Sequence, residues 1–131
     1  MDNGDIQVDN RGWFWWFFFS YFSVNGSASC PKNDGKCWVT FNLSGDRPDT
    51  TTDKANYNVI DTDYDNYLIV YDCFNTWYGA RQESAWIMTR KPVPDASYVK
   101  TLESVLKQKV PGYNQDGMTV SDQGEDNCTY V

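Results

Sequence analysis

The chain of 131 residues is long enough for one domain with a hydrophobic core. Its 11 basic residues face 18 acidic ones, and a net charge of −7 argues against a nucleic-acid partner, whose phosphates it would repel. There is no histidine, which removes the commonest general base and a frequent metal ligand, while aromatics reach 17% in a chain whose mean hydropathy is −0.64.

Residues 1–12 lack a basic start and an apolar core, so no secretory signal opens the chain; Met1 reads as an internal residue, an engineered start or the start of a truncated gene. Residues 5–10 alternate, with Ile6, Val8 and Asn10 on one face and Gln7 and Asp9 on the other, which predicts a strand. Arg11 and Gly12 interrupt it. Residues 13–22 follow, containing Trp13, Phe14, Trp15, Trp16, Phe17, Phe18 and Phe19. This run is too short to span a bilayer as a helix, which takes about 20 residues. It reads as a strand buried on both faces, as an exposed aromatic rim meeting a membrane or another subunit, or as a damaged stretch. Without polar alternation its register is not legible.

Residues 24–28 finish that strand before a turn-rich hexapeptide, 31–36, flanked by Cys30 and Cys37. Residues 38–41 form a short strand with Val39 and Phe41 on one face. Residues 43–54 read as a solvated loop, whose Asp46, Asp49 and Asp53 lack the spacing of a calcium loop. The runs 57–60 and 67–71, joined by Asp63-Tyr64-Asp65-Asn66, spell a β-hairpin. Tyr67, Ile69 and Tyr71 share one face and Leu68 and Val70 the other, so neither face is simply solvated. Such a strand suits a barrel wall, one side lining a cavity and the other packed under something. Residues 74–83 read as a loop and 84–89 as a strand with Trp86 and Met88 together. Asp95 is placed to cap a helix from about Ala96, with Val99, Leu102, Val105 and Leu106 in one apolar stripe and Pro111-Gly112 ending it. Residues 118–120 read as a short returning strand, and residues 1–131 as a single domain.

Catalytic sets are missing. Ser20, Ser84 and Ser97 have no histidine to activate them, Asp61 and Asp63 sit where capping explains them, and no glycine-rich phosphate loop occurs. We therefore expect neither an enzyme nor a metal protein. Cys30, Cys37, Cys73 and Cys128 do not form a zinc pattern and allow three pairings, of which Cys30–Cys37 across the hexapeptide hairpin is the local one. Sequons at Asn25, Asn42 and Asn127 are glycosylation candidates, and with an even cysteine count they point to a secreted protein.

The segment Thr62-Asp63-Tyr64-x-x-Tyr67 resembles the Thr-Asp-Tyr-x-x-Tyr signature of the lipocalins, and Trp86-Ile-Met-Thr-Arg90 is similar to the motif that ends their last strand. Residues 3–8, 57–60 and 118–123 add shorter matches, most like the apolipoprotein D and bilin-binding branch of the family. The resemblance implies an all-β, antiparallel up-and-down β-barrel with one C-terminal α-helix. This barrel is incomplete at the N-terminus, because the Gly-x-Trp strand and the strand after it have no counterpart. In the family the counterparts of Cys73 and Cys128 pair with cysteines in that missing part, which leaves these two orphaned or bonded to each other, and the counterpart of Arg90 stacks on a tryptophan absent here. Alternation and resemblance together turn Asn10, Phe41, Tyr57, Trp86 and Met88 inward. They would line a pocket for a fatty acid, retinoid, sterol, bilin or carotenoid. The competing expectation is a structural protein that self-assembles as a homo-oligomer through its aromatic run and open strand edges.

Overall fold

A computed structural model describes residues 5–16, 18–32, 34–41, 50–51 and 54–124. The side chains of 11–16 and 18–22, Phe17, Asn42, Asp46, Asp49, Asp53, Asn127 and Cys128 lie outside what it describes, as does most of the loop expected at 43–54. Six antiparallel strands follow one another in chain order, as expected for an up-and-down sheet: β1 (Asp5–Trp16), β2 (Phe18–Ser29), β3 (Lys36–Phe41), β4 (Tyr57–Thr62), β5 (Tyr67–Asn75) and β6 (Arg81–Thr89). One helix, α1 (Ala96–Lys109), comes after them. The chain divides into two compact units, Met1–Asn58 and Val59–Val131.

In the first unit, β1 does not stop at Arg11-Gly12 but runs through to Trp16. The aromatic stretch is therefore not one strand: it is shared by β1 and β2, which pair along their whole lengths, from Asp5↔Ser29 to Trp16↔Phe18. A glycine costs a strand some stability without breaking it, and the ladder on both sides of Gly12 holds it extended. The β2–β3 register continues through Gly26↔Phe41 and Ala28↔Val39. Just beyond the last paired residues, Cys30 and Cys37 form the expected disulfide, their Cα atoms 4.3 Å apart. Gly35, at φ 78°, makes the turn between them. Ahead of β4, the Asn56 side chain bridges to the backbone of Val39, accepting from its N–H at 2.8 Å and donating to its carbonyl at 2.9 Å.

In the second unit, the β4–β5 turn is built by side chains. Asp63 Oδ1 accepts from the backbone N–H groups of Asp65, Asn66 and Tyr67 at 3.1, 2.7 and 3.1 Å. Thr62 Oγ1 donates to the Tyr67 carbonyl at 2.7 Å and accepts from Tyr64 N–H at 2.9 Å, and Tyr64 takes the left-handed conformation, φ 68°. The loop expected at 74–83 shrinks to residues 76–80. Thr76 closes it, with backbone N–H to the Ala80 carbonyl at 2.7 Å, and Gly79 turns at φ 85°. Leu102 and Leu106 of α1 are fully buried with Ile69 of β5, and Ile60, Tyr67, Ala85, Ile87, Tyr98, Val105 and Met118 pack around them. Tyr98, not Val99, completes the helix stripe.

Two expectations are corrected at this end of the chain. Asp95 takes the cap position, its carbonyl accepting from Tyr98 and Val99 N–H, but without a side-chain capping hydrogen bond; its carboxylate instead lies 3.6 Å from Lys91 Nζ. Residues 118–120 form no strand, because Met118 packs on the helix cluster and its N–H closes a turn onto the Gln115 carbonyl.

Candidate functional site

Directly opposed residues of antiparallel strands share a face, so the registers sort side chains into two sets. In the first unit one face collects Ile6, Val8 and Asn10 of β1, Val24, Gly26 and Ala28 of β2, Cys37, Val39 and Phe41 of β3, and Tyr57, which opposes Cys37. Ala28 and Cys37 are buried, whereas Asn10 and Phe41 are exposed. The opposite face is mostly polar, with Gln7, Asp9, Asn25, Ser27 and Thr40 beside a half-buried Trp38, and Ser23 Oγ donates to Asp9 Oδ1 at 2.8 Å. Three of the expected pocket residues, Asn10, Phe41 and Tyr57, thus share one face, in different cross-strand rows and not in a single cluster. Burial pushes the Tyr57 phenol above its ordinary pKa, as an aromatic wall would.

Gly26 was not foreseen. It lies between Val8 and Phe41 in the cross-strand row, where a Cβ would meet the Thr40 carbonyl at 2.4 Å and the Phe41 ring at 2.8 Å. Only a residue without a side chain leaves the Phe41 ring its place.

In the second unit the β5–β6 register separates two functions. Tyr67, Ile69 and Tyr71 share a face with Thr89, Ile87 and Ala85, and this face carries α1. Leu68 and Val70 share the other with Met88 and Trp86. Val70 is fully buried there, while Trp86 and Met88 remain 45% and 38% exposed. A ribbon apolar on both sides, with the helix on one of them, leaves the Trp86–Met88 side as the accessible apolar wall.

Beyond the helix on the first of these faces lies a polar strap. Arg81 donates from Nη2 to Glu83 Oε1 at 2.8 Å and to the Tyr71 hydroxyl at 3.3 Å, and from Nε to Cys73 Sγ at 3.0 Å. The Tyr71 hydroxyl donates to Glu83, and its ring meets Tyr113 edge-on at 6.0 Å. Burial, then the Glu83 hydrogen bond, pushes Tyr71 up to about 12, so it remains a donor at neutral pH. Cys73 is a half-buried free thiol. The strap joins side chains two and four residues apart along the ribbon and offers no nucleophile–base pair. Among the described residues no three carboxylates or cysteines are grouped as a metal site.

A cleft of about 420 Å³ opens between the Asp63 turn and the start of α1, lined by Asp63, Asn66, Tyr67, Lys91, Asp95 and Tyr98 among others. Its rim carries Asp63, Lys91 and Asp95, and neither Trp86 nor Met88 lines it. Asn25 is exposed on β2.

The family model of the lipocalin-like domain matches residues 1–123. Apolipoprotein D of Mus musculus is 31% identical over 74 residues, 56% of this chain and 37% of that protein. Among solved structures, lobster apocrustacyanin A1 has a TM-score of 0.69 at 19% identity, over 96% of this chain and 64% of that one. H1 crustacyanin from the lobster Homarus americanus gives 0.70 at the same identity and coverage. The chain therefore spans less than two thirds of the length of these relatives, and the structural likeness is one of fold.

Proposed function

The chain belongs to the lipocalin family, and from that premise we propose that it is a binding protein, not an enzyme, that takes up a small hydrophobic ligand on the apolar faces of its sheet. The supporting observation is the face of β5–β6 turned away from α1, where Trp86 and Met88 stay accessible beside buried Val70. Covering side chains that are a little under half exposed gains about 1 kcal/mol each, and no covalent step is needed. Asn10, Phe41 and Tyr57 on the face of the first unit are the other proposed contacts. Asn10 and the Tyr57 hydroxyl supply the polar handles that orient a ligand. Fatty acids, retinoids, sterols, bilins and carotenoids all meet this description, and residues 1–131 act as one lipocalin-like domain. The Cys30–Cys37 disulfide and the Asn25 sequon favour an oxidising, extracellular setting.

The test is to extract native protein with organic solvent, record its absorbance and identify what is released. Recovery of a stoichiometric lipophile supports the reading. Protein that releases nothing and shows no saturable uptake of any of these lipid classes refutes it.

A second reading, self-association, is favoured by the strand order, which gives β1 and β6 one hydrogen-bonded neighbour each among the described residues. Unpaired N–H and C=O rows on an edge strand invite a second chain. Sedimentation at micromolar concentration decides it, a strictly monomeric species ruling it out.

A further inference from the structure

The β5–β6 hairpin ends in two aromatic rings that cover nothing. Trp77 is 96% exposed and Tyr78 65%, their rings edge-on at 5.4 Å and 89°, and Phe74 at the end of β5 is 44% exposed. The turn beneath them is firmly closed. Besides the backbone bond from Thr76 N–H to the Ala80 carbonyl, Thr76 Oγ1 donates to that carbonyl at 2.9 Å and accepts from Ala80 N–H at 3.0 Å. Gly79 N–H closes the tip onto the Thr76 carbonyl at 3.0 Å. A rigid turn that holds a tryptophan out in water forgoes the stabilisation of burying it, so the ring is placed for something outside the chain.

The chemistry of the tip narrows what that is. Two aromatic side chains supply roughly 300–500 Å² of contact. A stable protein interface takes about 800 Å² per partner, so these rings fall short of one by themselves. A lipid interface needs no such matched area, and tryptophan and tyrosine are the residues whose amphipathic rings settle at headgroup depth. The charge pattern agrees: residues 73–82 contain Arg81 and no carboxylate, within a chain of net charge −7. The tip thus presents nothing for a zwitterionic headgroup layer to repel, while the rest of the chain would be repelled by an anionic one. We propose that the Trp77–Tyr78 hairpin tip is an interfacial anchor that inserts into a zwitterionic phospholipid surface. This goes beyond the ligand-binding reading and does not depend on it.

Co-flotation with phosphatidylcholine vesicles tests the proposal on the whole chain. Trp77→Ala is expected to weaken partitioning roughly tenfold, the order expected for losing one buried aromatic side chain. Trp77→Phe is expected to retain most of it. Acyl chains brominated near the headgroup should quench the tryptophan emission of the parent protein more than that of Trp77→Phe, and adding phosphatidylserine should weaken binding. Because Trp77 packs on no core residue, unchanged far-ultraviolet circular dichroism is expected for both variants. A parent protein that does not float, or a Trp77→Ala protein that floats as well as the parent, overturns the proposal. So does a Trp77→Ala change in sedimentation without vesicles, since it would mean that protein covers the tip.

Discussion

Arg90 donates its Nε–H to the carbonyl oxygen of Asp65 at 2.8 Å, joining the end of β6 to the β4–β5 turn. Its Nη2 reaches the Tyr64 carbonyl at 3.3 Å, and its own backbone N–H donates to Asn66 at 2.8 Å. The arginine of the last-strand motif thus holds the Thr-Asp-Tyr turn directly. Both lipocalin-like motifs of this chain meet in one hydrogen-bonded knot. The tryptophan on which the resemblance would stack Arg90 has no counterpart here, and what the described residues show is a guanidinium fork on two adjacent carbonyls.

Arg90→Ala should therefore lower stability by about 1–2 kcal/mol, the range for charge-assisted bonds at a partly solvated site. Arg90→Lys should recover less than half, because a single ammonium cannot serve both carbonyls at the fork's spacing. Urea unfolding midpoints measure both, and equal stability of the lysine variant and the parent would discount the fork.

The same turn carries a pH dependence. Hydrogen bonds from the Asn66 side chain and backbone, then from Tyr67 and Asp65 N–H, hold the Asp63 carboxyl at about 2, against an ordinary value of 3.8. A carboxyl lowered on folding adds stability above its unfolded pKa and loses it as pH falls through the folded one. The stability difference between the parent and Asp63→Ala should be constant above about pH 5, then shrink as pH falls towards 2 and below. A difference that stays flat over that window would mean that the turn's bonds do not depend on the carboxylate.

Gly26→Ala tests the first unit. Its Cβ would sit 2.4 Å from the Thr40 carbonyl, which is backbone and cannot swing aside. We expect a loss of about 1–3 kcal/mol, typical of overpacking, with a lower thermal midpoint. Unchanged melting would mean that β2 and β3 part at that point without cost.

Much of this was legible in the sequence where one signal acted alone. The alternation of Ile6, Val8 and Asn10 gave the face of β1, and Asp63 with Asn66 announced its turn through side chains that bond their own backbone. The Leu102, Val105, Leu106 stripe gave the helix its buried side. The β1–β2 hairpin was not legible, because aromatic residues throughout residues 13–22 leave no polar beat and no glycine or asparagine to mark a turn. Gly12 and Gly79 look alike in sequence, yet one is held within a ladder and the other turns a chain. Gly26 and the Tyr71–Arg81–Glu83 strap depend on which residues end up opposite one another across strands, and that is fixed by registers no local pattern states.

The last prediction sets the two faces of the β5–β6 ribbon against each other. Leu106 is fully buried on Ile69, so Leu106→Ala leaves a cavity and should cost about 2–5 kcal/mol of stability. Trp86 projects from the opposite face and is 45% exposed, so Trp86→Ala should cost far less stability. If that face is ligand wall, the same variant should lose about 1–3 kcal/mol of lipophile binding, up to roughly a hundredfold in Kd. The pairing matters, because general destabilisation would lower stability and binding together in either variant. Measuring both quantities on both proteins separates the faces. A Trp86→Ala protein that keeps full affinity for every lipophile the parent binds would remove Trp86 from the site, whatever the fate of the helix side.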